Sequence, residues 1–215
     1  MTMVAVLFLA LMGQVAAPAE ELIGRLKYGG GGDWYANPTS LPNLLAFAGE
    51  HTTLDLPARE QVVEPGSPDL MDFAFVHVTG HGRIRFTEEE RRNLRAWLLG
   101  GGFLHVDDNY GLDESFREEV AALFPGKPLV ELPFSHPVYH CLYRFPEGLP
   151  KIHEHDGGPP HGYGIVHEGR VVLFYSFNTD LGDGWESEEV HNDPAEKRQA
   201  ALRMGTNLLV YALSR

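Results

Sequence analysis

Apolar and polar positions change period several times along the chain, and the changes outline alternating strands and helices. Leu22–Tyr28 (LIGRLKY) alternates as a half-buried strand does, then runs into Gly29–Gly32. Ala74–Val78 (AFVHV) is a compact apolar run ending in Thr79-Gly80-His81-Gly82, the pattern of a buried parallel strand. Gly102–Val106 (GFLHV) repeats that pattern and ends in Asp107-Asp108-Asn109-Tyr110-Gly111. Between these runs the spacing lengthens to that of a helix. Thr87 and Glu90 make a capping box, Leu94, Trp97 and Leu98 form an apolar stripe, and Gly100 stops the helix. Ser40–Ala48 predicts a short helix. Asp113 is placed to cap another, with Phe116, Val120 and Leu123/Phe124 facing inward.

From Leu129 to Glu186 the chain is richer in proline and glycine. Its clearest element is a hairpin: Gly164–His167, a Glu168-Gly169 turn, then Val171–Phe177. Asp193-Pro194 followed by Glu196 starts a last helix that should run to about Leu213. No repeat or linker divides the chain. The expectation is one α/β domain over residues 20–215, with a loop-rich C-terminal insertion.

Charge removes some functions. The chain of 215 residues carries a formal net charge of −13 with no basic cluster, so nucleic acid is not an expected partner. Cys141 is the single cysteine, which rules out an intrachain disulfide. At the N-terminus, Met3–Met12 is apolar and Ala17-Pro18-Ala19 forms an A-x-A pattern. Residues 1–19 therefore read as a secretory signal without a basic start, and the mature chain as periplasmic or cell-surface with no stable membrane anchor. A buried first helix is the alternative.

Open α/β sheets bind ligands beyond the carboxyl ends of their strands. Three such ends are unusually polar or glycine-rich here: GGGGDWY, TGHG and DDNYG. His81, Asp107 and Asp108 stand at these exits, beside Asn109 and Tyr110. Gly30 and Gly31 with Asp33 suit a close backbone approach to a ligand, and Trp34 and Tyr35 suit a stacking wall. No helix start follows the glycines directly and no P-loop Lys-Ser/Thr is present, so nucleotide binding is weakly supported. An ordinary tight turn explains the glycines equally well.

Eleven histidines add a second question. His136 and His140 are four apart, and His153 and His155 flank Glu154, so each pair can share one face. With carboxylates these could hold a divalent metal such as zinc, although no H-E-x-x-H is present. His77 and His105 read more simply as strand histidines bonded inside the core. In DLGDGWESEEVHNDP, Asp180, Asp183 and Glu186 do not match a calcium loop, and turn and cap chemistry explains Asp183-Gly184 and Asp193-Pro194. Trp185 and Glu186 could line a pocket. Cys141 follows no nucleophile elbow and reads as an inert thiol.

The blocks LKYGGGGDWYANPTSLPNLL, VTGHGRIRFTEEE, GGFLHVDDNYGLDESFR, PFSHPVYHCLYRF, KIHEHDGGPPHGYGI and DLGDGWESEEVHNDPAEKRQAALRMG resemble those of a bacterial family of unknown function. That family is grouped with the class I glutamine amidotransferase-like superfamily. The resemblance implies a flavodoxin-like three-layer sandwich with a mostly parallel sheet, often in exported proteins, and brings no established activity. True amidotransferases place a cysteine at the turn after a central strand. Here HVDDNYG puts Asp108 or Asn109 near that position, and a carboxylate cannot replace the thiolate. The reaction does not carry over.

The resulting expectation is a strand-end cleft lined by Asp107, Asp108, His81, His153 and His155, with His136 and His140 near by. An enzyme built on it would hydrolyse a small polar or carbohydrate-like substrate, with Asp108 as base or metal ligand and a histidine as acid. The competing expectation is a non-catalytic module that presents its aromatic and glycine-rich loops to an envelope protein.

Overall fold

The computed structural model describes residues 22–153 and 157–214. The expected leader and His155 lie outside the described residues. Among the described residues seven strands form one sheet: β1 (Leu22–Leu26), β2 (Gln61–Val63), β3 (Phe73–Val78), β4 (Phe103–Asp107), β5 (Val130–Glu131), β6 (His161–His167) and β7 (Arg170–Phe177). Their spatial order is β2-β1-β3-β4-β7-β6-β5. The first five in that order run parallel, and β6 and β5 extend the sheet antiparallel.

Six α-helices stand among the described residues: α1 (Ser40–His51), α2 (Glu88–Leu99), α3 (Asp113–Leu123), α4 (Leu181–Trp185), α5 (Glu188–His191) and α6 (Ala195–Leu213). Side chains alternate across the strands, so each central strand feeds two cores. Val76, Val78, Leu104 and Val106 meet Leu94, Trp97, Phe116 and Val120 of α2 and α3. Ile23, Phe75 and Phe103 meet Leu41, Leu44, Leu208 and Leu209 of α1 and α6. The result is a mixed α/β sandwich of flavodoxin-like order, with helices on both faces of a mostly parallel sheet.

Local chemistry sets several boundaries. The capping box forms as the spacing predicts: Glu90 N–H donates to Thr87 Oγ1 at 3.2 Å, and Thr87 N–H donates to the Glu90 carboxylate at 2.6 Å. In the hairpin, Glu168 and Gly169 have φ of 48° and 80°, the paired positive values that a type I′ turn requires. β7 is buried along both faces, and pairs with β4 as a fifth parallel strand. It therefore belongs to the central sheet, and the loop-rich stretch is confined to what precedes β6.

Two caps depart from expectation for one reason. Asp113 is the first residue of α3 and not its cap, because its carboxylate accepts from Arg117 Nε at 2.7 Å and Tyr175 OH at 2.8 Å. Asp193 does not cap α6, because its carboxylate turns to His153. In both cases a distant partner outcompetes the local backbone. No helix among the described residues is long and apolar enough to cross a membrane.

Candidate functional site

The strand order reverses between β1 and β3, so the loops leaving those two strands bound the crevice where such sheets take ligands. These loops are stitched together. Arg85 N–H donates to Gly29 O at 2.8 Å, Gly32 N–H to Arg83 O at 2.9 Å, and Asp33 N–H to His81 O at 3.2 Å. Gly82 N–H then donates to Tyr110 O at 3.1 Å, which ties in the exit of β4. Gly30 has φ of 106°, and a Cβ there would stand 2.6 Å from Arg85 N. Its glycine is therefore a packing requirement. Gly31 faces open space.

Asp33 grips His81 twice. One carboxylate oxygen accepts the His81 backbone N–H, and the other lies 3.1 Å from Nδ1. The carboxylate orients the ring through Nδ1 and leaves Nε2 on its far side, and the His81 side chain is 52% exposed. Tyr35 and Tyr110 are exposed, and Trp34 packs edge-on against Tyr35.

At the β4 exit, Asp107 and Asp108 do not line one cleft, which corrects the sequence expectation. Neighbouring residues of an extended chain point to opposite faces. Asp107 accepts from Ser176 Oγ at 2.5 Å, Leu181 N–H at 3.2 Å and Gly182 N–H at 2.6 Å. Asp108 lies on the other side, beside Asp113 and Tyr175. Its Oδ1 is buried with no hydrogen-bond partner among the described residues, as is Asn109 Nδ2. Asn109 Oδ1 accepts from Thr79 Oγ1 at 3.3 Å.

Burial raises both carboxyls to about 7. For Asp107 the hydrogen bonds from Ser176 and Gly182 oppose the rise, and for Asp108 the charges of Asp113 and Asp107 add to it. Each thus holds its proton more tightly in the folded chain than at the ordinary value of 3.8. The folded state binds more protons between those two values, so the stability these two groups contribute is greatest at low pH and is lost as pH rises through about 7. The loss approaches about 1.4 kcal/mol per pH unit for each group. Urea unfolding from pH 5 to pH 8 should show this decline, with a shallower slope in Asp108→Asn. Equal slopes in the two proteins would refute it.

Behind Asp107 runs a buried chain of side chains. His77 Nδ1 lies 3.0 Å from His105 Nδ1, and His105 Nε2 lies 2.9 Å from Ser176 Oγ, which donates to Asp107. Both imidazoles are pushed down, His105 to about 3 by burial, and His77 well below its ordinary value by burial and then by His105 and Arg25. Two neutral rings donating toward Asp107 satisfy these contacts, while His77 Nε2 is buried with no hydrogen-bond partner among the described residues.

Residues 22–213 match the model of a domain of unknown function (DUF4159). The chain belongs to that family. No curated protein matches it. In this DUF4159 chain the structure redistributes the residues singled out from sequence. His153 approaches neither Asp107 nor Asp108. Its Nδ1 lies 2.8 Å from Asp183 Oδ2 and its Nε2 lies 3.0 Å from Asp193 Oδ2. His191 Nε2 is 3.8 Å from the same Asp183 oxygen. Asp180, beside this group, is raised to about 9, by burial and then by Asp107, Asp183 and Asp108.

His136 and His140 do not join the group, which corrects their assignment as metal ligands. His136 Nδ1 accepts from Val138 N–H at 3.2 Å, capping a 3-10 turn, and His140 Nε2 lies 2.5 Å from Phe134 O. Trp185 and Glu186 are both buried. Trp185 is fully buried, with Nε1–H donating to Ala201 O at 2.8 Å, and Glu186 accepts Thr39 N–H at 2.8 Å at the start of α1. Cys141 is an exposed residue whose Sγ–H donates to Asn207 O at 3.2 Å, and partial burial of the thiol raises its pKa to about 11. Asp183, His191 and Asp193 are the residues that sequence reasoning missed. Their signal was present in DLGDGWESEEVHNDP, where two carboxylates and a histidine follow a strand exit.

Proposed function

We propose that this protein is an exported hydrolase of a small polar or carbohydrate-like substrate, working at the β1/β3 crevice. The observation that carries the reading is the Asp33–His81 pair: a carboxylate fixes the imidazole and leaves Nε2 open to solvent at the point where the strand order reverses. His81 would move the proton, first as base toward an attacking water and then as acid toward the leaving group. Asp33 would hold its tautomer and balance the imidazolium that forms. The exposed Tyr35 and Tyr110 rings suit the apolar face of a sugar.

Export is supported by the apolar Met3–Met12 run and the A-x-A pattern after it. Kinship with the glutamine amidotransferase-like superfamily is supported by the flavodoxin-like strand order. The absence of cysteine from HVDDNYG argues against amidotransfer chemistry. An envelope-binding face would have used Trp185 beside Trp34 and Tyr35, and the burial of Trp185 removes a third of that patch.

The test is chromogenic. p-Nitrophenyl esters, glycosides and phosphate are offered to the wild type, His81→Ala and Asp33→Asn. Nitrophenolate release from at least one class should fall by about 10²–10⁴-fold in His81→Ala. Wild-type rates no faster than buffer, or an unimpaired His81→Ala, would overturn the assignment.

A further inference from the structure

We propose that His153, Asp183 and His191 form a divalent-cation site with an open coordination position, and that Asp193 is the outer partner that orients His153. The site stands apart from the His81 reading, since its evidence and its test concern binding and not turnover.

Three elements meet there. His153 lies just before residue 154, held over the β7 exit by its backbone N–H to Thr179 O at 3.3 Å. Asp183 sits in α4, and His191 ends α5. One ligand atom from each residue lies within 4.8 Å of the others. Metal–ligand bonds of about 2.0–2.2 Å in a tetrahedron place donor atoms roughly 3.3–3.5 Å apart. The 2.8 Å contact from His153 to Asp183 would open by about half an ångström, and the 3.8 Å contact from His191 would close by a similar amount. His191 belongs to a four-residue helix with no buried side chain, which leaves it room to shift.

Carboxylates on both sides of one ring supply the second argument. Asp193 lies against His153 Nε2, and Asp183 Oδ2 lies 2.8 Å from Nδ1, so a proton or a cation must stand between Nδ1 and that oxygen. Asp180 Oδ2 lies 4.0 Å from the same nitrogen. The outer contacts are also those of a metal centre. A carboxylate backs the histidine, and Asn37 Nδ2 donates to Asp183 Oδ1 at 2.6 Å, leaving Oδ2 to the cation. Two imidazoles and one carboxylate suit zinc and not calcium, which takes six to eight oxygens.

The experiment is isothermal titration of tag-free protein with zinc chloride, with calcium chloride as the comparison. Zinc should bind once per chain, and calcium should not. His191→Ala and Asp183→Asn should each weaken zinc by at least about a hundredfold, and Asp193→Asn by about 10–100-fold. His191 is exposed and an asparagine at 183 can still accept from Asn37, so both variants should keep the wild-type circular dichroism and melting cooperativity. His140→Ala should bind zinc as the wild type does. Absence of saturable zinc uptake by the wild type, or unchanged affinity in both His191→Ala and Asp183→Asn, would overturn the site. The cluster would then be an imidazolium held among carboxylates.

Discussion

Replacing Asp107 with alanine is expected to destabilise the protein by about 2–6 kcal/mol, among the largest effects open to a single substitution. Its carboxylate is fully buried and accepts from Ser176 Oγ, Leu181 N–H and Gly182 N–H. Ser176 can turn its hydroxyl to Val106 O, 3.2 Å away, but the two backbone donors have no such recourse. Each unsatisfied buried donor costs about 1–3 kcal/mol. The damage would spread, because those two N–H groups open α4, a helix too short and too glycine-rich to form alone. Asp107→Asn keeps one carbonyl acceptor and should lose about half as much. Urea unfolding at pH 7 measures both. An alanine variant within 0.5 kcal/mol of wild type would show that α4 does not hang from Asp107.

Trp185→Ala should cost about 3–5 kcal/mol, lowering Tm by roughly 6–20 °C. The ring is fully buried under α6. It tilts against His77 and His105 at 5.2 and 5.5 Å, and its N–H is bonded to Ala201 O. A Cβ on Gly205 would stand 2.8 Å from it, so α6 is shaped around this side chain. Truncation would leave a cavity and expose His77 and His105 to a void. Tyr35→Ala, on a side chain 65% exposed, should stay within about 0.5 kcal/mol. A melt of Trp185→Ala superimposable on wild type would contradict the packing described.

The contrast between these tryptophan and tyrosine positions shows what the sequence could convey. α2, β3, β4 and the hairpin turn were legible because their signals are local: a capping box, continuous apolar runs, and a Glu-Gly pair suited to positive φ. β2 was not, since two of its three residues are exposed and only pairing with β1 defines it. α4 was not, since Asp107, far away in sequence, supplies its opening acceptor. For the site, the strand exits were legible from fold logic, and His81 with Asp33 fell there. The partners of His153 were not. Asp183 and Asp193 lie 30 and 40 residues away, and their residue types fit turns and caps equally well. Trp185 looked like a pocket wall because an aromatic beside a carboxylate has the same composition in a binding site as in a core.

The position of β7 carries a consequence for how the chain is made. Leu104 of β4 pairs with Leu173 of β7, so a strand late in the sequence fills the middle of the sheet. Until it has emerged from the ribosome, β4 offers an unprotected hydrogen-bonding edge. Nascent chains therefore carry this open edge through the whole stretch from α3 to the hairpin. A holdase engaging that interval would cover it until β7 arrives.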